Sequence, residues 1–428
     1  MTVTVIVNNL SSKSSFLSNK KVDKSDIAIV CILLMVSGLL ISRLFLSLGM
    51  ILFGINALWN VPPRKWIESK WWLAGIAWVT MYAASFFWSS NKEEWGVFLQ
   101  LKLPVVLLPL AFTFVPRFTA RQLQNFTLIA ALMLLAGCGY SISFLVRDYA
   151  HFIAEYNISH MLPTPVYRDY LCFSVTCALF IAWVVFMWPR LLNDTVKWII
   201  GGSCLLIFIY LHVLASKSGL LAVYIFAISY AVYSVIARRS LAGILGVLAI
   251  PVFLYCAVTF IPTLRERKEH IVYTWYRYMD QDKTGKLGDL SRIMSYDISL
   301  KLIKEHPEKG VGTGDMLDAM KEGYAKYYPN VTEEINKLIP HNQFLTVALG
   351  CGIPAMIIFA VWVMMPLFTK GTKRDKFFLA ITWVMLLLML FIEPFLESQF
   401  GVFIYLFFLL MVMHTMGEKR DVSATSTI

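Results

Sequence analysis

The sequence predicts an all-α polytopic membrane protein, with about twelve transmembrane helices and one large helical loop outside the lipid. Three observations carry that expectation. Of 428 residues, 58% are hydrophobic and only 15% are charged, and mean hydropathy is +0.65. Soluble domains carry about 25% charged and 45–50% apolar residues. The apolar residues also fall in evenly spread runs, most of them near the roughly 20 residues a helix needs to cross hydrocarbon. Finally, a single long polar segment, 262–341, interrupts those runs.

Taken in order, residues 1–26 are polar and end in Lys20-Lys21-Val22-Asp23-Lys24. The run that follows lacks a small-x-small cleavage pattern, so it reads as an uncleaved first span. Spans are expected at about 27–42, 43–59, 71–88, 95–115, 125–146, 168–188, 197–214, 219–237, 241–261, 343–368, 377–394 and 400–416. The first two share one run and are short. They suit either a tight hairpin or one span with an interfacial helix. The chain thus divides into spans one to nine (1–261), an extramembrane loop (262–342) and spans ten to twelve (343–428).

Net charge is +11, and its placement points away from nucleic acid. The central polar stretch is nearly balanced, and the surplus lies in alternate short loops. One set holds Arg64, Lys65 and Lys70; Arg117 and Arg121; Arg190 and Lys197; Arg238 and Arg239; Lys370, Lys373, Arg374 and Lys376. The N-terminus adds Lys13, Lys20, Lys21 and Lys24, and the C-terminus Lys419 and Arg420. The complementary loops hold only Arg43, Lys92, Arg147, Arg168 and Lys217. Positive charge stays in the cytoplasm, so both termini are expected there and the 262–341 segment on the opposite side. The seven cysteines lie in or beside apolar runs with no CxxC pair, which reads as core filling with no disulfide framework.

Within the polar segment, Leu290, Ile293, Met294, Ile298, Leu300 and Ile303 recur at helical spacing. His306-Pro307 ends that helix, because the residue before proline avoids the helical region. Gly310, Gly312 and Gly314 are expected to form a flexible turn. A second helix is expected over about 315–327, closed by Tyr327-Tyr328-Pro329.

Several residues are candidates for chemistry, each with a plainer reading beside it. Lys217, at the outer membrane edge within Ser216-Lys217-Ser218-Gly219, is either a snorkelling anchor or a ligand for an anionic headgroup. Small neighbours let a phosphate approach the backbone. Arg292 is either a helix charge paired with Asp289 or Asp297, or a fork for a diphosphate. His341, between Pro340 and Asn342 at the start of a span, is either a cap or core residue or a general base at the membrane surface. Asp280-Gln281-Asp282 matches a D-x-D metal and nucleotide-sugar pattern, but two acids in a loop make a weak signal. The seven histidines show no metal-ligand spacing.

The Ser216-Lys217-Ser218-Gly219-Leu220 turn, the Arg292 helix running into His306-Pro307-Glu308-Lys309-Gly310-Val311-Gly312-Thr313-Gly314, and His341-Asn342-Gln343-Phe344-Leu345 followed by Gly350 and Gly352 form an ordered set. This arrangement resembles the O-antigen ligase and polymerase family of bacterial integral membrane glycosyltransferases, over roughly 210–355. The resemblance implies a GT-C-like fold in the inner membrane, with 262–342 as a periplasmic catalytic loop. It implies a glycan donor on undecaprenyl diphosphate, a lipid A-core acceptor in the ligase branch, another glycan repeat in the polymerase branch or a protein in the protein O-glycosyltransferase branch, membrane lipids as surroundings, and no cofactor or metal. His341 and Arg292 are then the catalytic candidates. Lys217, Ser216, Ser218, Arg168, Asn342 and Gly312 are the substrate contacts. The family more often has arginine where this chain has Lys217, which leaves a point charge in place of a bidentate grip.

The chemistry agrees with these residue types. Displacing a diphosphate from an anomeric carbon needs positive charge on the leaving group, which Arg292 and Lys217 offer, with His341 as base and cations for neighbours. A transporter of about twelve spans is the reading from another class, and there polar groups belong near the bilayer midplane. The spans hold few such charges, chiefly Lys102 and Glu393. The sidedness is testable in a background freed of native cysteines. A cysteine at Gly285 should react with a membrane-impermeant thiol reagent in intact cells, and one at Gly371 should not. Reversed labelling would overturn the topology.

Overall fold

Inside hydrocarbon each backbone N–H and C=O needs a partner within the protein, and helices provide one residue by residue. The computed structural model follows that logic: the described residues are helical, with no strand among them. It describes residues 23–59, 61, 70–156, 160–165, 169–279, 288–329 and 339–416. The helices are α1 (Lys24–Gly38), α2 (Arg43–Leu58), α3 (Lys70–Ala84), α4 (Lys92–Phe114), α5 (Ala120–Arg147), α6 (Tyr149–Tyr156), α7 (Tyr170–Met187) and α8 (Asp194–Leu214). They continue as α9 (Lys217–Arg238), α10 (Leu241–Phe260), α11 (Pro262–Met279), α12 (Gly288–Glu305), α13 (Met316–Tyr327), α14 (Gln343–Met364), α15 (Lys373–Ile392) and α16 (Gln399–Thr415).

Each of the twelve expected apolar runs coincides with a helix. Eight are long and apolar enough to cross a membrane: α4, α5, α7, α8, α9, α10, α14 and α15. The helices α1, α2, α3 and α16 are shorter, at 15 to 17 residues. The pair α1 and α2 forms a tight hairpin. A Cβ on Gly49 would meet Met35 Cγ at 2.7 Å, and the Lys24 ammonium donates to the carbonyls of Ala57 (2.7 Å) and Trp59 (2.9 Å). Two helices were not foreseen, α6 in the 147–167 loop and the charged α11.

Polar contacts sort the connections into two ends. At one, Gln122 reaches Asp26 (2.6 Å), Gln124 accepts from the amides of Leu192 (2.7 Å) and Asn193 (3.0 Å), and Arg190 pairs with Asp375 (2.9 Å). At the other, Tyr156 donates to the Leu214 carbonyl (3.1 Å) and the 85–91 connection meets the 313–315 turn. Charge alternation groups the same loops. Arg64, Lys65 and the charged chain termini before residue 23 and after 416 lie outside the described residues.

The polar segment is locked into the bundle by a broken helix. Gly352 interrupts α14 with φ +86°, and Pro354 has no N–H to donate. The break removes the usual partners of the Leu349 and Gly350 carbonyls and of the Ile353 amide. The 307–312 loop supplies all three: Val311 N–H to Leu349 O (2.8 Å), Gly312 N–H to Gly350 O (3.1 Å) and Ile353 N–H to Pro307 O (2.8 Å). A Cβ on Gly310 would lie 2.3 Å from the Leu349 oxygen, and one on Gly352 2.2 Å from the Glu308 oxygen. The expectation of a flexible turn is therefore corrected, since these glycines permit close backbone approach. The turn is also tied to the 85–91 connection. The hydroxyls of Ser85 and Thr313 lie 2.7 Å apart, and Asp315 accepts from the amides of Ser90 (2.7 Å) and Asn91 (2.8 Å).

A second lock holds the connection between α15 and α16. Fully buried Lys102 donates to Glu397 Oε2 (2.6 Å) and to the Leu396 carbonyl (2.6 Å). The other Glu397 oxygen accepts from Tyr82 (3.1 Å) and Gln343 (2.7 Å), and Gln343 Oε1 accepts from the Leu396 amide (2.7 Å). Removing one partner of a buried pair strands the other's charge, at about 3–5 kcal/mol. Lys102→Met should therefore lower the thermal midpoint of the detergent-purified protein strongly. Adding Glu397→Gln should recover much of the loss. Equal melting of the wild type and the single variant would mean that the pair is hydrated.

Candidate active site

The two locks converge on three side chains. His341 precedes α14, whose N-cap is Asn342: its Oδ1 accepts from the amides of Phe344 (2.9 Å) and Leu345 (3.1 Å). Asn342 has an extended backbone (φ −158°, ψ 121°), so His341 and Gln343 project to the same side, as alternate residues of an extended chain do. Gln343 grips Leu396 and Glu397. His341 grips Glu393 at the start of that same connection, with Nδ1 2.8 Å from Glu393 Oε2. The Glu393 amide closes α15 on the Met389 carbonyl (3.0 Å).

Arg292, in the second turn of α12, donates through NH2 to the other Glu393 oxygen, Oε1. Glu393 thus bridges a guanidinium and an imidazole. The side chains of Arg292, His341 and Glu393 are 33%, 19% and 15% exposed, sheltered but open to an aqueous reactant. One turn along α12, Tyr296 donates to the His341 carbonyl (2.7 Å). Burial pushes the Tyr296 phenol up, with Arg292 pulling down and Glu393 up. It therefore stays a donor at neutral pH.

The bridge has a chemical consequence. A carboxylate at Nδ1 selects the tautomer with the proton on Nδ1 and leaves the Nε2 lone pair as the basic site. Arg292 uses NH2 on Glu393, and among the described residues no hydrogen bond engages the other N–H groups of its fork, which suit a second anion.

These contacts revise two expectations. Arg292 pairs with Glu393, whereas Asp297 is taken by Lys301 (2.6 Å) and the Tyr328 hydroxyl (2.9 Å). The Lys301 hydrogen bond holds the Asp297 carboxyl below the usual carboxylate range. The expected neighbours of His341 were cations, but the group that meets its ring is a carboxylate. Glu393, read from the sequence only as an interior charge, is the member of this candidate constellation that sequence reasoning missed. The available signal was an acid next to Pro394, in a connection grouped with the 262–341 loop.

The remaining candidates fall elsewhere. Ser216 and Ser218 are buried, their hydroxyls 3.2 Å apart, and Ser216 is 2.9 Å from Ser174 of α7. A Cβ on Gly219 would lie 2.6 Å from Ser174 Cβ, so close packing of α9 on α7 accounts for the small residues of that turn. Half-buried Lys217 opens α9. Ser174 lies one turn from Tyr170 on α7, about 6 Å along the axis. Gly312 (φ +98°) packs its backbone against Gly350 and Ser89. Arg168, Asp280 and Asp282 lie outside the described residues.

Eight helices long and apolar enough to cross a membrane make this a multi-pass membrane protein, and the polar constellation of Arg292, His341 and Glu393 is set among them. Residues 202–360 match the family model described as O-antigen ligase. The match spans Lys217, Arg292 and His341 and ends before Glu393, and it supports the resemblance to the O-antigen ligase and polymerase family. That family implies glycosyltransferase-type chemistry between a lipid-linked glycan and an acceptor. No curated protein matches the chain.

The tautomer is open to direct measurement. In protein labelled with 15N-histidine, the His341 resonances should report the Nδ1–H form. Glu393→Ala should shift the ring toward the mixture found in water. An unchanged ring would remove Glu393 as its orienting group.

Proposed function

We propose that this protein is a lipopolysaccharide O-antigen ligase. In this reading it moves a glycan from undecaprenyl diphosphate onto a lipid A-core acceptor at the periplasmic face of the inner membrane, without a metal. The observation that carries the reading is the Arg292–Glu393–His341 bridge. It joins a diphosphate-competent cation to an oriented base at the edge of a lipid-embedded bundle.

In this mechanism the acceptor hydroxyl oxygen attacks the anomeric carbon of the donor glycan. Its proton passes to His341 Nε2. The bond from that carbon to the diphosphate oxygen breaks with its electron pair, and undecaprenyl diphosphate leaves. Single displacement inverts the anomeric centre. Arg292, aided by Lys217, stabilises the charge that develops on the leaving diphosphate, the kind of fixed electrostatic help that usually supplies the largest share of catalysis. Glu393 holds the imidazole in register and stabilises the imidazolium as it forms. Lys217 takes part as a point charge, while Ser216 and Ser218 contribute through packing.

Gene deletion followed by lipopolysaccharide gels tests the reading in cells. Loss of all long chains with accumulation of lipid-linked polymer is the expected result. One-repeat chains would assign the protein to the polymerase branch, and unchanged lipopolysaccharide with loss of glycoprotein would assign it to a protein-directed branch. With purified protein, His341→Ala should slow transfer by about a hundredfold or more while donor binding holds. Arg292→Lys should lower the rate clearly, Lys217→Arg should be tolerated, and excess chelator should leave transfer intact. Near-normal turnover in His341→Ala would place the base elsewhere.

A further inference from the structure

Beyond the three reacting-centre residues, the same end of the molecule carries a cleft of about 840 Å³, formed where the last turn of α12, the 306–311 loop and α13 meet Trp88. Its polar lining is close to charge balance. Glu305, Glu308 and Glu322 face it as acceptors, and His306, Lys309 and Lys326 face it as nitrogen groups. Two aromatic rings, Trp88 and Tyr327, lie in the same wall. The Tyr327 ring is held in place by the ammonium of Lys301, 4.1 Å from its centroid, and that of Lys326, 5.0 Å away.

A polyanion would meet three carboxylates here, and a polycation would meet the lysines. An apolar ligand would meet Leu302, Val311 and Ala319 but would leave three carboxylates and two ammonium groups desolvated without partners. The chemistry that fits is an uncharged or weakly charged polyhydroxy chain. Its hydroxyls alternate between donating to carboxylates and accepting from ammonium groups, and its C–H faces rest on the rings.

The cleft is also connected to the reacting centre. Asp297, Lys301 and Glu305 follow at four-residue spacing, which aligns them on one face of α12. Tyr328 bonds Asp297, and Tyr327 sits under Lys301. This polar and aromatic row begins beside Tyr296, whose hydroxyl holds the His341 backbone. Thirteen residues of helix separate Arg292 from Glu305, about 20 Å at 1.5 Å per residue. That distance is too long for the sugar being transferred and suited to sugars further along the chain.

We infer that this cleft is a glycan subsite, which holds saccharide residues remote from the reacting anomeric carbon. The inference rests on the glycosyl-transfer reading for its purpose but not for its test. Saturation-transfer NMR on the full-length protein in detergent, using wild type and His341→Ala, reads binding without turnover. Two probes separate the sources: free oligosaccharide released from the host's O-antigen, and core oligosaccharide released from its lipid A.

Binding of the O-antigen probe assigns the cleft to the donor side, and binding of the core probe to the acceptor side. Trp88→Ala and Glu322→Gln should each weaken that binding about tenfold, a change of about 1.4 kcal/mol, with melting temperature held. In a transfer assay the preference for long over short glycans should fall by the same factor. If neither probe binds the wild type, or if both variants bind as it does, the subsite is rejected. If probes bind and the variants fail but no transfer is found with any donor, the cleft stands and the ligase reading falls.

Discussion

Lys102 sits in the middle of an apolar helix with none of its side chain exposed. An unpaired ammonium there costs several kcal/mol, so Glu397 is required beside it, with Tyr82 and Gln343 taking the other carboxylate oxygen. This requirement fixes the backbone of the short connection between α15 and α16. Glu393 lies four residues before Glu397 on that connection. Its position between Arg292 and His341 therefore follows from a charge pair buried deeper in the bundle. Gln343 and His341, one residue apart on either side of Asn342, read the two ends of the same connection. A loop unpinned by Glu397 would leave Glu393 free to turn to water.

The broken helix does the same for the opposite wall. A glycine at φ +86° followed two residues later by proline leaves two carbonyls and an amide without helical partners inside an apolar protein. Such groups persist at membrane depth only where other protein atoms satisfy them. The 307–312 loop does so with its own backbone, and its glycines are there because the approach leaves no room for a Cβ. Since α12 runs directly into this loop, docking of the loop sets where α12 ends and hence where Arg292 and Tyr296 lie. The backbone of the glycine turn is thus a structural latch.

Much of this was legible in the sequence because the relevant signals are local. Apolar run length placed the twelve apolar helices, and His306-Pro307 ended α12 where the structure ends it. The period of Leu290 through Ile303 identified the helix that bears Arg292. Pairings across the chain were not legible. Arg292 to Glu393 spans 101 positions and Lys102 to Glu397 spans 295. Periodicity carries no information at such separations. The local alternative of Asp297 for Arg292 was reasonable for an isolated helix and failed because Lys301 and Tyr328 claim Asp297. The small residues around Lys217 are ambiguous for a related reason, since the same small side chains suit a phosphate site and the close crossing of α9 on α7 that the structure shows.

The shared carboxylate bears on why position 292 is an arginine. In the proposed reaction the leaving diphosphate needs positive charge, yet Glu393 already occupies that charge before substrate arrives. A lysine there would offer one compact ammonium, and Glu393 would compete for it directly. A guanidinium spreads its charge over a planar fork with five N–H donors. It can hold Glu393 through one edge and turn another toward phosphate oxygens. The arrangement keeps the cation from being stranded in a sheltered site, keeps the imidazole in one tautomer, and leaves donors free for the leaving group. Glu393 is the residue that makes those three conditions compatible, and only its backbone placement, inherited from Glu397, lets it do so.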